Sequence, residues 1–204
     1  MSFLGRLFGR TEAPPDPLVE RLPELVVPQS EAGAFVAGYQ RDERQSRVIT
    51  ASPAERRQGA IAQYMLQWDR SMDAIRAQLA KQDATPFVQW VRQLVLAMVD
   101  ATAAQRWFAA RASGFKAYAG QEVGGFRYGE VQETAAPGIG DEALVLAAPN
   151  ERHGVHYVDT YINLRCGRLF GSVSASTWGT LNVERDLRDL AVKLATRLTE
   201  AEPH

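Results

Sequence analysis

A run of alternating residues in the last third of the chain constrains the fold more than any other feature. Over Val155–Arg165 one side of an extended chain carries His156, Val158, Thr160, Ile162 and Leu164, and the other carries Val155, Tyr157, Asp159, Tyr161 and Asn163. Alternation in a segment rich in β-branched and aromatic residues is typical of a strand. Cys166 and Gly167 then supply a two-residue turn, and Arg168–Ser176 returns as the partner strand. The pattern predicts an antiparallel hairpin.

The segment after the hairpin predicts a helix that packs on the sheet. Asn182 is a residue type favoured at helix N-caps. One apolar stripe follows at helical spacing, formed by Leu187, Leu190, Ala191, Leu194 and Leu198. Because such a stripe needs a partner surface, we expect this helix to lie across the sheet. The expected fold class is α+β, a single domain with an antiparallel β-sheet and packed helices, in which two similar β-rich halves are one option.

The composition limits the cofactors and partners. Lys plus Arg number 23 and Asp plus Glu number 24, so no overall positive field draws in nucleic acid. The single cysteine, Cys166, excludes an intrachain disulfide. One cysteine and three histidines in the whole chain offer few ligands for structural zinc. We therefore expect no metal, no cofactor and no nucleic-acid partner. The partner remains an unknown protein or small molecule.

The first ten residues form an amphipathic segment. On a short helix its apolar side carries Phe3, Leu4, Leu7 and Phe8, and its basic side carries Arg6 and Arg10. The pattern predicts either a weak membrane-surface or partner contact through the four apolar residues, or a frayed tail. It is too short for a secretory signal and has no lipid-acceptor cysteine, so we expect a cytoplasmic protein, with the inner membrane surface as an option. Three prolines in Thr11–Pro17 predict a linker, so the domain is expected to span residues 18–204.

Several elements of the first half are predicted from local patterns. Leu18–Val27 predicts a short docked helix, and Tyr39–Thr50 predicts an exposed, highly charged strand. Asp100 is placed to begin a helix, and Gly114 lies where that helix is expected to have ended. Short strands and loops are expected in the glycine-rich stretch at 120–140.

The residues between these elements are ambiguous. Ser52 and Glu55 form a capping box, with Pro53 at the first helical position, so a helix is predicted to begin there. Apolar residues spaced 4, 3, 4, 3, 4 from Ile61 onward extend that helix to about residue 80. Phe87–Val99 fits a helix and a strand equally well.

The order of motifs adds a resemblance. GIGDEALVL at Gly138–Leu146 leads into a strand, Val158–Ala175 contains the hairpin, and a Leu/Ala helix closes the chain. In the first half, LQW at Leu66–Trp68 and the stretch Leu94–Ala110 occupy similar places. Over roughly Leu18–Glu200 this order resembles a group of poorly characterised bacterial proteins, often exported lipoproteins, and the PsbP/Mog1-like and PknH-sensor-like domains.

The resemblance, rather than periodicity, resolves the ambiguous segments. It implies that the first helix ends near Trp68 and that Ala74–Ala80 and Phe87–Val99 are strands. The export signal and lipid-acceptor cysteine of many relatives are absent from this sequence. The group has no established catalytic residues, so the resemblance implies none here.

Two polar clusters resemble parts of catalytic or metal sites. His153, His156 and Asp159 lie in HGVHYVD, but side chains three apart on a strand point to opposite faces. Asp141 and Glu142 are adjacent, which sends their carboxylates to opposite sides of an extended chain. The patterns favour turn and loop roles. A small hydrolase that uses His156, Asp159 and Asp141 or Glu142 is the alternative.

Aromatic residues near glycines predict a ligand-binding surface. Phe126 and Tyr128 lie in the glycine-rich stretch, and Trp178 lies in a Ser-Thr-Trp-Gly run, where an open backbone lets a ligand approach. With Tyr161 and His156 they are the candidate ligand contacts. We therefore expect a non-catalytic binding or interaction module that presents a groove or sheet face to a small ligand, lipid or partner protein. A membrane-peripheral scaffold tethered by residues 1–10 is a further alternative.

Overall fold

The computed structural model describes residues 16–81, 85–179 and 181–202, except for the side chain of residue 79. The four apolar residues expected to contact a membrane or partner, Phe3, Leu4, Leu7 and Phe8, lie outside these ranges. The first helix begins at Pro17, the last residue of the predicted linker. Asp16 caps this helix by accepting the N–H of Leu18 at 3.0 Å.

One antiparallel sheet organises the whole molecule. Its strands are β1 Gln40–Arg41, β2 Arg47–Thr50, β3 Ala60–Asp69, β4 Phe87–Met98, β5 Glu122–Val123, β6 Phe126–Tyr128, β7 Gln132–Ala135, β8 Glu142–Arg152, β9 Val155–Cys166 and β10 Leu169–Trp178. They pair in the order β1-β3-β4-β10-β9-β8-β6-β5, with β2 on β3 and β7 on β8. The helices are α1 Pro17–Leu25, α2 Gln29–Ala32, α3 Pro53–Arg57, α4 Met72–Ala80, α5 Ala101–Lys116 and α6 Glu184–Ala201. The predicted α+β class with an antiparallel sheet is confirmed.

The predicted hairpin lies near the centre of this sheet. β9 and β10 pair without interruption from Tyr157 opposite Trp178 to Cys166 opposite Leu169. The turn therefore consists of Gly167 and Arg168, one residue later than predicted, because Cys166 still belongs to the ladder. Gly167 has a φ of 53°, a left-handed conformation that glycine adopts without steric strain.

Helices α1 and α6 cover one face of the sheet, as expected for the C-terminal helix. The predicted stripe of α6 is fully buried at Leu187, Leu190, Ala191, Leu194 and Leu198. It packs on the apolar side of the hairpin, represented by Ile162, Leu164 and Val173. The N-cap of α6 is Val183, one residue later than the predicted Asn182, which accepts the N–H of Glu184 at 2.9 Å. This face holds the larger of the two hydrophobic clusters.

Helix α5 lies on the opposite face, at one end of the sheet. Its Ala103, Ala104 and Phe108 pack with Leu96, Met98 and Phe170 in a second, smaller cluster. Asp100 caps it by accepting the N–H of Ala103 at 2.7 Å, as predicted. The expected end at Gly114 is wrong, because the helix continues to Lys116 and buries Phe115 against the sheet.

The region between Ser52 and Asp69 corrects the predicted first helix. The capping box forms, with Glu55 N–H 3.3 Å from Ser52 Oγ and Ser52 N–H 2.7 Å from a Glu55 carboxylate oxygen. The helix nevertheless ends at Arg57, and Ala60–Asp69 is a strand. Gly59, at a φ of 92°, makes this change possible because a Cβ there would lie 2.7 Å from Ala103 Cβ on α5.

For the other two ambiguous segments, one prediction is confirmed and one is wrong. Phe87–Met98 is a strand, as the resemblance implied. Ala74–Ala80, which the resemblance implied to be a strand, belongs instead to helix α4. Its composition of Ala, Arg, Gln and Leu favours a helix, and no strand of the described chain pairs with it. The segment Tyr39–Thr50 forms two short strands, β1 and β2, on the edge of β3.

Candidate functional site

The α5 face of the sheet carries a band of polar side chains across its middle. Strand register places Tyr161, Ser174, Arg92 and Gln67 in one row on β9, β10, β4 and β3. Asp159 and Ser176 pair in the row on one side of it, and Asn163 and Ser172 pair in the row on the other side. We call these eight residues the polar belt. Helix α5 covers the apolar end of the same face, next to the belt.

The belt is buried but incompletely hydrogen-bonded. Its three serines and Asp159 are buried, and Asn163 is 1% exposed. Within the described chain neither amide atom of Asn163 has a hydrogen-bond partner. An unsatisfied buried polar group costs about 1–3 kcal/mol. Stability alone therefore gives no reason for asparagine at this position.

A cleft of about 250 Å³ opens between the belt, helix α5 and strands β2 and β3. We call it the arginine cleft. Its polar lining includes Arg92, Tyr161, Ser172 and Ser174 from the belt, and Arg111 and Trp107 from α5. Its apolar lining consists of Ile49, Met65 and Leu94. The cleft therefore combines several hydrogen-bond donors with an apolar wall.

Arg92 lies half-buried at the base of this cleft. Its Nε and Nη2 both donate to Gln67 Oε1, at 2.8 and 2.6 Å, and its guanidinium lies 4.8 Å from the Trp90 ring centre. No carboxylate of the described residues lies within 4.0 Å of it. Burial lowers the pKa of Arg92 from its usual value, because charge is disfavoured away from water.

Two α5 side chains complete the cleft. Arg111 lies with its guanidinium 5.3 Å from the ring centre of Phe115, which itself packs 4.2 Å from the ring of Tyr161. The buried Nε1–H of Trp107 has no acceptor among the residues that the structure describes. An indole N–H can only donate, so this buried group lacks the one hydrogen bond that it can make within the described chain.

Asp159 is the one carboxyl among the eight residues of the belt, and its surroundings shift its pKa. Burial raises its pKa, whereas hydrogen bonding with Ser176 and Asn150 and the positive charge of Arg92 act in the opposite direction. The net shift is upward, so the neutral form is favoured more than in an exposed aspartate. Burial likewise raises the pKa of Tyr161, which stays a neutral hydroxyl.

The five predicted ligand contacts lie in different places. Tyr161 lines the arginine cleft. Tyr128 and His156 line a second, more open cleft of about 530 Å³ beside Pro149 and Tyr157, which we call the tyrosine cleft.

The other two predicted contacts pack against neighbouring aromatic rings. Phe126 packs edge-on against Tyr157, with ring centres 5.9 Å apart, and Trp178 packs edge-on against Phe87 at 5.0 Å. The ligand role of all five residues stays a prediction.

The residues of the hydrolase alternative do not converge. His156 and Asp159 are three apart on regular strand β9 and therefore project from opposite faces. Asp141 and Glu142 pair with Arg165, at 2.7 and 3.3 Å, about six strand residues or roughly 20 Å from Asp159.

His153, His156 and Cys166, the histidines and cysteine that the structure describes, also do not form a shared site. His153 occupies the turn between β8 and β9. Among the described residues no three His, Cys, Asp or Glu side chains form a group that could hold a metal ion. Cys166 is buried, which raises the pKa of its thiol.

The sequence reasoning missed most of the site. Arg92 lies in a segment whose periodicity was ambiguous, and Ser172, Ser174 and Ser176 were only part of a returning strand. One local pattern does point to them. Strand β10 alternates serine with apolar residues although it pairs on both sides, and such alternation in an antiparallel sheet indicates that the serine face is not packed on the main core.

Comparison with solved structures identifies the fold. The chain is similar to the extracellular domain of PknH from Mycobacterium tuberculosis, with a TM-score of 0.58 and 15% sequence identity over 89% of this chain and 96% of that one. No protein-family model matches the chain, and no curated protein matches it in sequence. At this identity the likeness establishes a shared architecture, in agreement with the sensor-like shape inferred from the sequence. None of the helices in the described ranges has the length and apolar character needed to span a membrane.

Proposed function

We propose that this chain is a non-catalytic binding module that holds a small molecule in the arginine cleft. The observation that carries the proposal is the polar belt, a band of buried polar side chains that opens into a cleft beside an apolar wall. Binding pockets typically combine an apolar lining with a few placed polar groups. The fold of an extracellular domain, shared with PknH, is compatible with a module of this kind.

The composition of the cleft supports binding over chemistry. Its polar groups are mostly donors, supplied by two arginines, two serines, a tyrosine and an indole. Glu55 also lines it, but that carboxylate accepts the Ser52 N–H in the capping box. Hydrogen bonds from Ser52 lower the pKa of Glu55, which makes it a weak general base.

The tyrosine cleft is the alternative location for the same function. It is larger, more apolar in lining, and contains two of the predicted contacts, Tyr128 and His156. Its charged lining residues, Arg127 and Glu151, are exposed, and Asn150 is its one buried polar side chain among the described lining residues, so no band of buried polar groups leads into it. For that reason we place the ligand in the arginine cleft.

The proposal is tested by screening small neutral and charged fragments against the ¹⁵N-labelled chain by NMR. The indole Nε1–H of Trp107 reports on the arginine cleft, and its resonance is assigned from the Trp107→Phe variant. Expected hits shift this resonance and lose affinity in Tyr161→Phe or Ser174→Ala, while His156→Ala leaves binding unchanged. Hits that respond only to His156→Ala would move the site to the tyrosine cleft, and a screen without hits at either cleft would overturn the proposal.

A further inference from the structure

Among the described residues no carboxylate lies within 4.0 Å of the Arg92 guanidinium, which sets Arg92 apart from the two partly buried arginines beside the hairpin turn. Arg165 and Arg168, whose side chains are 14% and 22% exposed, each pair with carboxylates: Arg165 with Asp141 and Glu142, and Arg168 with Asp16. Arg92 instead donates to the neutral amide of Gln67 and lies against the Trp90 ring. A buried charge without a partner is strongly unfavourable.

A second arginine makes the imbalance larger. Arg111 lines the same cleft and its charge disfavours the charged form of Arg92, whereas the charges of Asp69 and Asp159 favour it. Three carboxyls lie near the pair, but in the described chain none is within 4.0 Å of either guanidinium; one of them, Glu55, lines the cleft and accepts from Ser52. Asp69 accepts from Gln67 rather than from Arg92, and Asp159 stays more than 4.0 Å from either guanidinium. Two like charges that face one small cleft attract an anion.

The other hydrogen-bond donors of the cleft also suit an anionic head group. Hydroxyls of Ser172, Ser174 and Tyr161 line the cleft beside Arg92, and the Trp107 Nε1–H lacks an acceptor among described residues. Carboxylate and phosphate oxygens accept several hydrogen bonds at once, and guanidinium binds both in a planar, bidentate manner. The opposite wall is apolar at Met65 and Leu94.

We infer that the arginine cleft binds a small organic anion, with its carboxylate or phosphate between Arg92 and Arg111 and a short apolar body against Met65 and Leu94. This rests on the proposed binding function and adds the chemical class of the ligand. The volume of about 250 Å³ lies just below the range of drug-sized sites, so the ligand is the size of one substituted ring.

The test compares three probes with the same ring in an NMR titration of the intact chain. Benzoate and phenyl phosphate carry the two anionic head groups, and benzyl alcohol is the neutral control. Both anions, or the one whose head group fits, should shift the Trp107 Nε1–H resonance and bind at least about tenfold more tightly than benzyl alcohol. Inorganic phosphate alone should bind more weakly than phenyl phosphate, because it lacks the apolar body.

Matched variants test which arginines bind the anion. Arg92→Gln and Arg111→Gln should each weaken anion binding about tenfold, and raising the salt concentration should weaken it in the unchanged chain. Arg111 is exposed on α5, so its variant keeps the test informative even if Arg92→Gln alters folding. Arg185→Gln removes an exposed arginine of α6, on the other side of the sheet, and should leave binding unchanged.

The outcomes separate this inference from the function on which it rests. Equal binding of benzyl alcohol and benzoate, both sensitive to Tyr161→Phe, would overturn the anion inference and leave the binding module intact. Anion binding that Arg185→Gln weakens as much as Arg92→Gln would also overturn it, because the effect would then be one of net charge. If neither anion shifts a cleft resonance, the inference fails, and the fragment screen decides the proposed function on its own.

Discussion

The two faces of the central sheet handle buried polar groups in opposite ways. On the face covered by α1 and α6, buried Gln93 donates to Val27 C=O at 2.8 Å and accepts the Val27 N–H at 2.9 Å. On the α5 face, equally buried Asn163 has no hydrogen-bond partner among the described residues, and Arg92 has no carboxylate. The first face is built for stability, and the second tolerates unfavourable groups that a ligand can satisfy. Proteins commonly give up stability in this way at functional sites.

The largest expected effect tests the stabilising face. Leu190→Ala deletes a fully buried side chain of α6 and should lower the free energy of unfolding by about 2–5 kcal/mol, as measured by urea denaturation. Ligand binding by the folded fraction should not change. Val192→Ala on the exposed side of the same helix is the control, with an expected change of no more than about 0.5 kcal/mol. Similar losses for both variants would contradict the assigned packing.

The second prediction concerns the satisfied amide. Gln93→Leu keeps a side chain of similar size but leaves the Val27 N–H and C=O without their partner. The free energy of unfolding should therefore fall by about 2 kcal/mol or more. The same denaturation curves measure it. An unchanged midpoint would mean that the Val27 backbone finds other partners when Gln93 is lost.

The third prediction is the counterpart on the α5 face and has the opposite sign. Asn163→Leu removes two unsatisfied buried polar atoms and should raise the free energy of unfolding by about 1 kcal/mol. Comparing Gln93→Leu with Asn163→Leu is the most direct test of the proposed difference between the two faces. If both destabilise the chain equally, the two faces do not differ in the way described.

The smallest expected effects are pH-dependent and again differ in sign between two carboxyls. Burial raises the pKa of Asp159; its stability contribution is therefore largest below the unfolded value of about 3.9 and is lost as pH rises through the folded pKa. Hydrogen bonds from Arg168 lower the pKa of Asp16, so its contribution is present above about 3.9 and is lost as pH falls through the folded pKa.

Unfolding curves at pH 4, 5.5 and 7 distinguish the two groups. Relative to the unchanged chain, Asp159→Asn should become progressively more stable from pH 4 to pH 7, and Asp16→Asn progressively less stable. The Asp159 variant keeps a neutral side chain of the same shape, which separates charge from packing. Parallel pH profiles for both variants would contradict the assigned shifts.

Local patterns predicted the elements whose neighbours in space are also neighbours in sequence. The β9–β10 hairpin, the capping box at Ser52 and the stripe of α6 depend on contacts within a few residues or across one turn. The prediction for the segment after Ser52 was wrong because its apolar spacing suits a helix. Pairing with β2 and β4 on either side makes Ala60–Asp69 a strand instead. Sheet pairing outweighs weak local preference in such segments.

The site was less accessible to sequence reasoning than the fold. Of the predicted contacts, only Tyr161 lies in the arginine cleft. Arg92, Ser174 and Gln67 reach the same row through the registers of three different strand pairs, and no local pattern contains a register between distant strands. The alternating serines of β10 were the one local sequence pattern that pointed to the site.

The linear order of residues was enough for the α+β class, the central hairpin and the helix that covers it, because hydrophobic periodicity and turn chemistry act over a few residues. Tertiary structure alone decided which polar side chains meet on the α5 face and that Arg92 lies half-buried there without a carboxylate within 4.0 Å in the described chain. The physical reason is that burial and charge compensation depend on what the folded chain brings together in space, and a slip of one residue in any of those registers would turn the belt to the other face.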